Sequence, residues 1–307
     1  MILYLQCYNP NMKTVAIIGP TASGKSDLAL KIAQKIDAYI LSIDSLSIYK
    51  EIDIVSAKPS KEELQIIKHF GIDVLNPDEY FSVDIFIDLY KKASLECEQN
   101  HKNLIIVGGT SFYLKSLIDG LSTLPVINDS VKKSVLTQLR NLPECYELLS
   151  SLDTEYMQNI SPNDTYRIEK ALLIYEASKL TPSEWFRQNP PKPIIENLPI
   201  FNIEVSREVI RERIQKRTQK MAKMGLIDEV CYLEQKYSRA PHAMKAIGIL
   251  EVLEFLDGKV SKEKMLENIS THTAQLAKRQ QTFNRTQFSG IVNAPIEELE
   301  AIILQSV

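Results

Sequence analysis

Residues 19–26 have the types and spacing of a phosphate-binding loop. They match the pattern G-x-x-x-x-G-K-[ST] at every fixed position and comprise Gly19, Pro20, Thr21, Ala22, Ser23, Gly24, Lys25 and Ser26. Glycines let the backbone curl until several N–H groups face one anion, and the following helix adds about half a positive charge at its N-terminus. Lys25 supplies a mobile full charge, and the Ser26 hydroxyl can join the ligands of a Mg²⁺ ion. The sequence therefore predicts a phosphate site with Mg²⁺ as cofactor and Ser26 as its protein ligand.

The loop alone leaves the kind of phosphate open. Nucleotide-hydrolysing proteins usually hold Mg²⁺ with an acidic residue at the end of an apolar strand. The most apolar strand, residues 104–107, is instead followed by Gly108-Gly109-Thr110, and the acidic residue Asp44 follows a different strand. No Asn-Lys-x-Asp or Thr-Lys-x-Asp signal for guanine is present. These features predict a site that holds pyrophosphate but lacks part of the usual nucleotide-hydrolysing machinery.

Short apolar runs alternate with helical patterns in the first third of the chain. Residues 13–18, 39–43 and 104–107 are typical of buried strands, whereas 26–36 and 83–98 have the apolar spacing of helices. This alternation predicts an α/β fold, a P-loop NTPase-like parallel sheet flanked by helices, with right-handed crossovers. Ligands of such sheets bind beyond the carboxyl ends of the strands, where the phosphate loop and the residue after the second strand both fall.

The sequence pattern changes near Gly120. The helical pattern that follows ends in the Pro-rich stretch 189–193, which predicts an inserted domain and its linker. A strand at 199–205 returns the chain to the core, and from Arg207 to the end the pattern is helical. The expected organisation is an N-terminal extension at residues 1–12, a P-loop core domain with basic C-terminal helices at 13–120 and 198–307, and a helical insertion domain at 121–197.

Composition excludes several classes of protein. With 44% hydrophobic residues and a net charge of -3, the chain is neither disordered nor basic overall. Basic residues are concentrated instead at 207–223, a segment that contains seven Lys and Arg residues but only two Glu residues. The four cysteines form no C-x-x-C pair, and no apolar run approaches the roughly 20 residues of a membrane span. We therefore expect a cytoplasmic protein with no membrane partner and a local basic stripe.

The motifs and their order resemble those of the bacterial tRNA dimethylallyltransferase (isopentenyl-pyrophosphate:tRNA transferase) family. Beyond the phosphate loop, the matching segments are Ser42-Ile43-Asp44-Ser45, Ile48-Tyr49-Lys50, Asp53-Ile54, Ala57-Lys58-Pro59, Gly108-Gly109-Thr110-Ser111-Phe112-Tyr113, Pro162-Asn163-Asp164 with Arg167, Arg217-Thr218 with Met221, Gly225-Leu226, Glu229-Val230, Ala246-Ile247-Gly248 and Lys278-Arg279-Gln280 to Arg285. Many families share the loop, but this ordered set is specific and spans nearly the whole chain. The chain departs from the family pattern at Ile249 (usually Tyr), Phe283 (usually Trp) and Lys132 (often Arg).

The resemblance implies a monomeric enzyme that moves a dimethylallyl group from dimethylallyl pyrophosphate to the exocyclic amine of adenine 37 in tRNA. It implies that Asp44 is the general base, that Thr110 reaches the leaving pyrophosphate or the adenosine, and that Arg217 clamps the pyrophosphate. Other interpretations remain open at this point. Asp44 would suit a turn, Thr110 would suit a helix N-cap, and Arg217 would suit a solvated helix face.

The expected macromolecular partner is the anticodon stem-loop of tRNA. Resemblance and local basic charge together predict contacts from Asp44, Ser45, Leu46, Ser47, Thr110, Lys132, Arg167, Lys278, Arg279, Gln280 and Arg285. Two other functions compete with this one. A small-molecule kinase would use the same loop with ATP, and a P-loop RNA-binding switch would form no covalent product.

Overall fold

A computed structural model describes residues 12–307. Apart from Met12, the extension expected at residues 1–12 lies outside the described residues. The chain divides into two compact units, and the first contains residues 12–115 together with 197–307. The second unit is Ser116–Glu196. No helix within residues 12–307 is both long and apolar enough to cross a membrane.

One six-stranded sheet organises the first unit. Its strands are β1 (Thr14–Ile18), β2 (Ala38–Ser42), β3 (His69–Phe70), β4 (Asn103–Gly108), β5 (Ile200–Ile203) and β6 (Val292–Ala294). The strand order is β3-β2-β4-β1-β5-β6, and every neighbouring pair is parallel. The central strands β1 and β4 are continuously apolar because helices cover both faces of a parallel sheet. The predicted α/β fold with a parallel sheet is confirmed.

Helices make up most of the remaining structure. In chain order they are α1 (Lys25–Ile36), α2 (Lys61–Ile66), α3 (Val83–Asn100), α4 (Ser111–Asp119), α5 (Asp129–Gln138), α6 (Leu142–Leu152), α7 (Thr154–Met157), α8 (Thr165–Ser178), α9 (Pro182–Gln188), α10 (Arg207–Lys223), α11 (Leu226–Tyr237), α12 (Ile249–Leu256), α13 (Lys262–Gln287) and α14 (Ile296–Ser306). Short 3-10 turns occur at Leu139–Asn141 and His242–Lys245.

Two apolar clusters support the site-bearing edge of the sheet. The first joins β1, α1 and α14 through fully buried residues such as Ile17, Ile32 and Leu299. The second packs Ile48 and Ile52 against α11, α12 and α13. Burying such side chains contributes about 1.5–3 kcal/mol each, so both clusters fix the segments that leave the ends of β1 and β2.

The helical pattern expected from Arg207 to the end of the chain is wrong at one place. Residues Val292–Ala294 form β6, which pairs in parallel with Phe201–Ile203 of β5 at the edge of the sheet. A three-residue strand is too short for a period-2 pattern, so pairing with its neighbour decides its conformation. The two-residue strand β3, at the opposite edge of the sheet, was not predicted for the same reason.

The second unit is helical and has its own core. Helices α5 to α8 bury residues including Val135, Leu149, Ile168 and Leu172 in a separate apolar cluster. The indole Nε1 of Trp185 donates a hydrogen bond to the carbonyl oxygen of Thr123 at 2.7 Å, which ties α9 to the segment that enters the unit.

Candidate active site

The phosphate loop lies between β1 and α1, as its motif requires. Ala22 (φ 62°) and Gly24 (φ 92°) both adopt the left-handed region of backbone space. A side chain at Gly24 would also approach the Cδ1 atom of Ile296 to 2.9 Å. Glycine is therefore needed where the loop turns into the helix, and this turn directs the first N–H groups of α1 toward one point.

Lys25 is the first residue of α1, and its ammonium group lies inside the loop. Its Nζ donates to the carbonyl oxygen of Pro20 at 3.3 Å. Burial lowers the pKa of Lys25 to about 8, the positive charge of Arg217 adds to this effect, and the carboxylate of Asp44 opposes it. An anion bound in the loop would replace the lost hydration and favour the charged form.

Two arginines of α10 contact the same loop. The Nη1 of Arg217 donates to the Thr21 hydroxyl at 3.2 Å, and the Nη1 of Arg213 donates to the carbonyl oxygen of Ser23 at 3.1 Å. Desolvation lowers the pKa of Arg217, and the nearby Asp44 charge counteracts this shift. Arg217 thus lies against the loop, where a fixed positive charge faces the phosphate position. Arg213 was not predicted, because its spacing in the basic stripe does not distinguish it from its neighbours.

Asp44 follows β2 and holds the turn after it. Its Oδ1 accepts hydrogen bonds from the N–H groups of Leu46 (2.8 Å) and Ser47 (3.2 Å). Asp44 therefore stabilises the turn through one carboxylate oxygen. The other oxygen, Oδ2, takes no part in these two bonds, so the turn is compatible with a chemical role for the residue. Two cavities, described below, lie beside the loop. Ser45 and Leu46 line the one that also contains Tyr113, whereas the buried Ser47 lines the one that also contains Met221.

Thr110 and Gln280 bring two distant segments to the loop. Thr110 follows β4, and its hydroxyl donates to the hydroxyl of Ser45 at 3.5 Å. The side-chain Oε1 of Gln280, on α13, accepts from the N–H of Thr21 at 2.8 Å. A Cβ at Gly109 would lie 2.4 Å from the Gln280 Nε2, so a side chain there would displace the Gln280 amide. Gln280 was predicted only as an RNA contact, and its bond to the loop was not foreseen.

Two cavities reach the loop. We call the first, of about 460 Å³, the apolar cavity, because its wall includes Leu30, Ile40, Ile72, Met221 and Met224. We call the second, of about 370 Å³, the aromatic cavity, because its wall includes Tyr49, Phe81 and Tyr113. Both cavities are lined by Thr21, Lys25, Asp44, Ser56 and Arg217. The phosphate position and Asp44 are therefore accessible from both.

The aromatic cavity is built from separate parts of the chain. The rings of Phe81 and Tyr113 pack with centroids 4.9 Å apart, and Tyr49 is 3% exposed. Burial raises the pKa of Tyr113 to about 12, so its phenol stays protonated at neutral pH. Tyr49 and Tyr113 lie in segments that match the family, but no role was predicted for either residue, and no sequence signal pointed to Phe81.

The other residues predicted to bind RNA lie away from the two cavities. Lys278 and Arg285 line a polar groove of about 660 Å³ together with Arg207. Arg279 is exposed on α13. In the second unit, Lys132 and Arg167 are exposed and form ion pairs with Asp129 and Asp164 one helical turn away.

The apolar cavity contains oxygen atoms that could bind a Mg²⁺ ion. Ser26 and Asp44 both line the apolar cavity. Among residues 12–307 there is no cluster of three or more His, Cys, Asp or Glu side chains suited to a metal ion. Mg²⁺ usually keeps several waters and binds through one or two protein groups plus phosphate oxygens, so this donor set fits an ion held mainly by a bound pyrophosphate.

Fold and site together define the class of this protein: an α/β protein with a P-loop-like sheet, whose phosphate loop is reached from two cavities. A family model described as IPP transferase matches residues 47–287. The chain belongs to this IPP transferase family, which confirms the resemblance seen in the sequence.

Similar proteins agree with this assignment over nearly the whole chain. The tRNA dimethylallyltransferase of Sulfurimonas denitrificans is 68% identical, covering 96% of this chain and 99% of that protein. The crystal structure of tRNA delta(2)-isopentenylpyrophosphate transferase from Staphylococcus epidermidis has a TM-score of 0.68 and 32% identity, covering 96% of this chain and 98% of that one. A eukaryotic dimethylallyltransferase acting on tRNA has a TM-score of 0.81 and 25% identity, covering 92% of this chain and 74% of that one.

Proposed function

We propose that this protein transfers a dimethylallyl group from dimethylallyl pyrophosphate to the exocyclic amine of adenine 37 in tRNA, releasing pyrophosphate. The observation that carries the proposal is the pair of cavities that share Lys25, Asp44 and Arg217. A two-substrate transfer needs a binding site for the leaving group, a base and both reactants at one point. Lys25 and Arg217 would hold the leaving pyrophosphate, and Asp44 would be the base.

The phosphate loop would hold the pyrophosphate of the donor. Charge accumulates on this group as the allylic carbon–oxygen bond breaks, and the loop N–H groups, Lys25 and Arg217 stabilise it. These groups are already arranged around the site by hydrogen bonds within the protein, so little reorganisation is needed during the reaction. The five-carbon group would occupy the apolar cavity, whose methionine and isoleucine side chains exclude water from it.

Ser26 would be the protein ligand of Mg²⁺ beside the bound pyrophosphate. When bound, the ion supplies further neutralisation of the leaving group.

The acceptor base would enter the aromatic cavity. Bases of a single-stranded loop can be splayed out and stacked on aromatic rings, and the partly exposed rings of Phe81 and Tyr113 offer such surfaces. Asp44 would orient the exocyclic amine and accept its proton. The amine nitrogen forms a bond to the allylic carbon, the carbon–oxygen bond to pyrophosphate breaks, and the amine proton passes to the Asp44 carboxylate.

Basic side chains outside the cavities would hold the rest of the RNA. The polar groove with Arg207, Lys278 and Arg285 offers three cationic side chains for phosphates, and Lys132 and Arg167 offer two more in the second unit. We propose that the enzyme acts as a monomer in the cytoplasm.

The test is label transfer from dimethylallyl pyrophosphate to unmodified tRNA in the presence of Mg²⁺. We expect label in the RNA from the wild-type protein. Asp44→Asn preserves an oxygen that can accept from Leu46 and Ser47, so it should retain the fold yet lower kcat by about 10³-fold. Asp44→Ala removes the turn contacts as well, and it separates the two roles of the residue.

Other outcomes would replace the proposal. Transfer of phosphate from ATP to a small acceptor, with no label in the RNA, would identify a kinase. Retention of RNA without any labelled product would identify an RNA-binding switch.

A further inference from the structure

The segment 53–59 forms a wall shared by the two cavities. Ile54, Ala57 and Lys58 line the apolar cavity, and Val55 lines the aromatic cavity. Ser56 lines both. Consecutive residues of one short turn therefore line different cavities, and a rotation of this turn would change both cavities at once.

Glu229 of α11 holds this turn by its backbone. Its Oε2 accepts hydrogen bonds from the N–H groups of Asp53 (3.0 Å) and Ile54 (2.7 Å), and its Oε1 accepts from Val55 (2.9 Å). Hydrogen bonds to a charged acceptor are roughly twice as strong as neutral ones. Three successive N–H groups on one carboxylate fix the orientation of the turn more tightly than packing alone.

Neighbouring contacts show that the turn has little freedom to compensate. The Nζ of Lys58 donates to the carbonyl oxygen of Tyr49 (2.6 Å) and pairs with the carboxylates of Asp53 and Asp73. A Cβ at Gly248 would lie 3.1 Å from the Cγ1 of Val55, so the turn also packs closely against the start of α12.

We propose that Glu229 is a positioning residue for both substrates, one that sets the wall between the donor and the acceptor base. The inference rests on the proposed function, because it assigns the two cavities to the two reactants. Glu229 touches neither reactant and acts only through the backbone of 53–55. Its loss should therefore impair recognition of both substrates together.

The experiment compares Glu229→Gln and Glu229→Ala with the wild-type protein. The Gln variant keeps the side-chain shape and one oxygen acceptor, but it turns an amide NH₂ toward a backbone N–H donor. The Ala variant removes all three bonds. Asp228→Asn, one residue earlier on the same helix, is the matched control.

We expect kcat/KM to fall about tenfold or more for both dimethylallyl pyrophosphate and tRNA in the Ala variant, because displacing a wall by a fraction of an ångström disturbs the aligned reactants. The KM of each substrate should increase in the order wild type, Gln variant, Ala variant. Hydrogen exchange should accelerate at the amides of residues 53–55, and the control should match the wild type in every measurement.

A KM increase for one substrate alone, or for neither, in a Glu229 variant that melts as the wild type does would overturn the inference. Unchanged exchange at residues 53–55 would overturn it too, and this readout remains decisive in the Gln variant if the Ala variant does not fold. Absence of label transfer by the wild-type protein would instead remove the proposed function, so the two failures are distinguishable.

Discussion

The phosphate loop and the aromatic cavity meet at the same residues but are built in opposite ways. The loop is one continuous stretch, residues 19–26, whose conformation follows from its own glycines and from the strand and helix beside it. The aromatic cavity is assembled from distant segments. Tyr49 lies after β2, Phe81 lies just before α3, and Tyr113 lies on α4. A local site tolerates change elsewhere in the protein, whereas an assembled site depends on the contacts that bring its parts together.

The largest effect is expected from the loop itself. Lys25→Ala removes the full positive charge facing the leaving pyrophosphate, and kcat/KM for the donor should fall by about 10³-fold. Steady-state kinetics with saturating tRNA measure this. Lys31→Ala, on the exposed face of the same helix and paired with Glu300, is the control and should remain active. A Lys25→Ala enzyme with nearly full activity would show that the loop does not hold the leaving group.

A smaller effect, on the KM of only one of the two substrates, is expected from a change in the aromatic cavity. Tyr113→Leu removes a stacking surface worth about 1–3 kcal/mol, so KM for tRNA should increase by roughly tenfold to 100-fold while KM for the donor changes little. Phe112→Leu, at the adjacent position on α4 and 52% exposed, is the control. Equal changes in both KM values would contradict the separation of the two cavities.

Binding of the donor by the phosphate loop should also depend on pH. The pKa of Lys25 is about 8 in the free protein because of burial, and bound pyrophosphate should raise it. Below that pH the ammonium is charged and donor affinity is full. As pH rises above it, the proton is lost and KM for the donor should increase by about tenfold per pH unit.

The control for this pH dependence is Lys25→Arg, whose guanidinium stays charged throughout the range. The variant should give a flat profile of donor KM at alkaline pH, even if its absolute KM is higher. A wild-type profile that stays flat to well above pH 8 would contradict the lowered pKa.

The smallest effect concerns the link between the two regions. Gln280→Met removes the hydrogen bond from the Thr21 N–H. We expect kcat/KM for dimethylallyl pyrophosphate to fall about fivefold, which corresponds to one net hydrogen bond of roughly 1 kcal/mol. Gln281→Met, whose side chain contacts the Val205 carbonyl instead, is the control. A loss confined to the binding of tRNA would show that the Gln280 amide serves the RNA and not the loop.

The contrast between local and assembled regions also explains what the sequence could predict. The loop, the strand positions of β1, β2, β4 and β5, and the parallel sheet follow from short-range patterns. The edge strands β3 and β6 are too short to have a pattern of their own, and they exist because β2 and β5 offer unpaired edges.

Site contacts between distant segments were beyond sequence reasoning for a related reason. Arg217 was predicted to hold the pyrophosphate only because it matches the family, and Arg213 was missed because it differs in no local feature from the other basic residues of α10. The packing of that helix directs both at the loop. Glu229 similarly looks like an ordinary helix-surface residue until the turn at 53–55 is placed beside it. The roles assigned to Asp44, Thr110 and the RNA-binding residues remain predictions.

The most direct test of the account is a single-turnover experiment that counts both products. Enzyme in excess over tRNA is mixed with dimethylallyl pyrophosphate and Mg²⁺, and released pyrophosphate and prenylated adenosine are measured over time. We predict that pyrophosphate and prenylated adenosine appear together in equal amounts, with the prenyl group at adenine 37, and that Asp44→Asn slows the formation of both equally. Pyrophosphate released without prenylated adenosine, or an Asp44→Asn enzyme as fast as the wild type, would contradict this prediction.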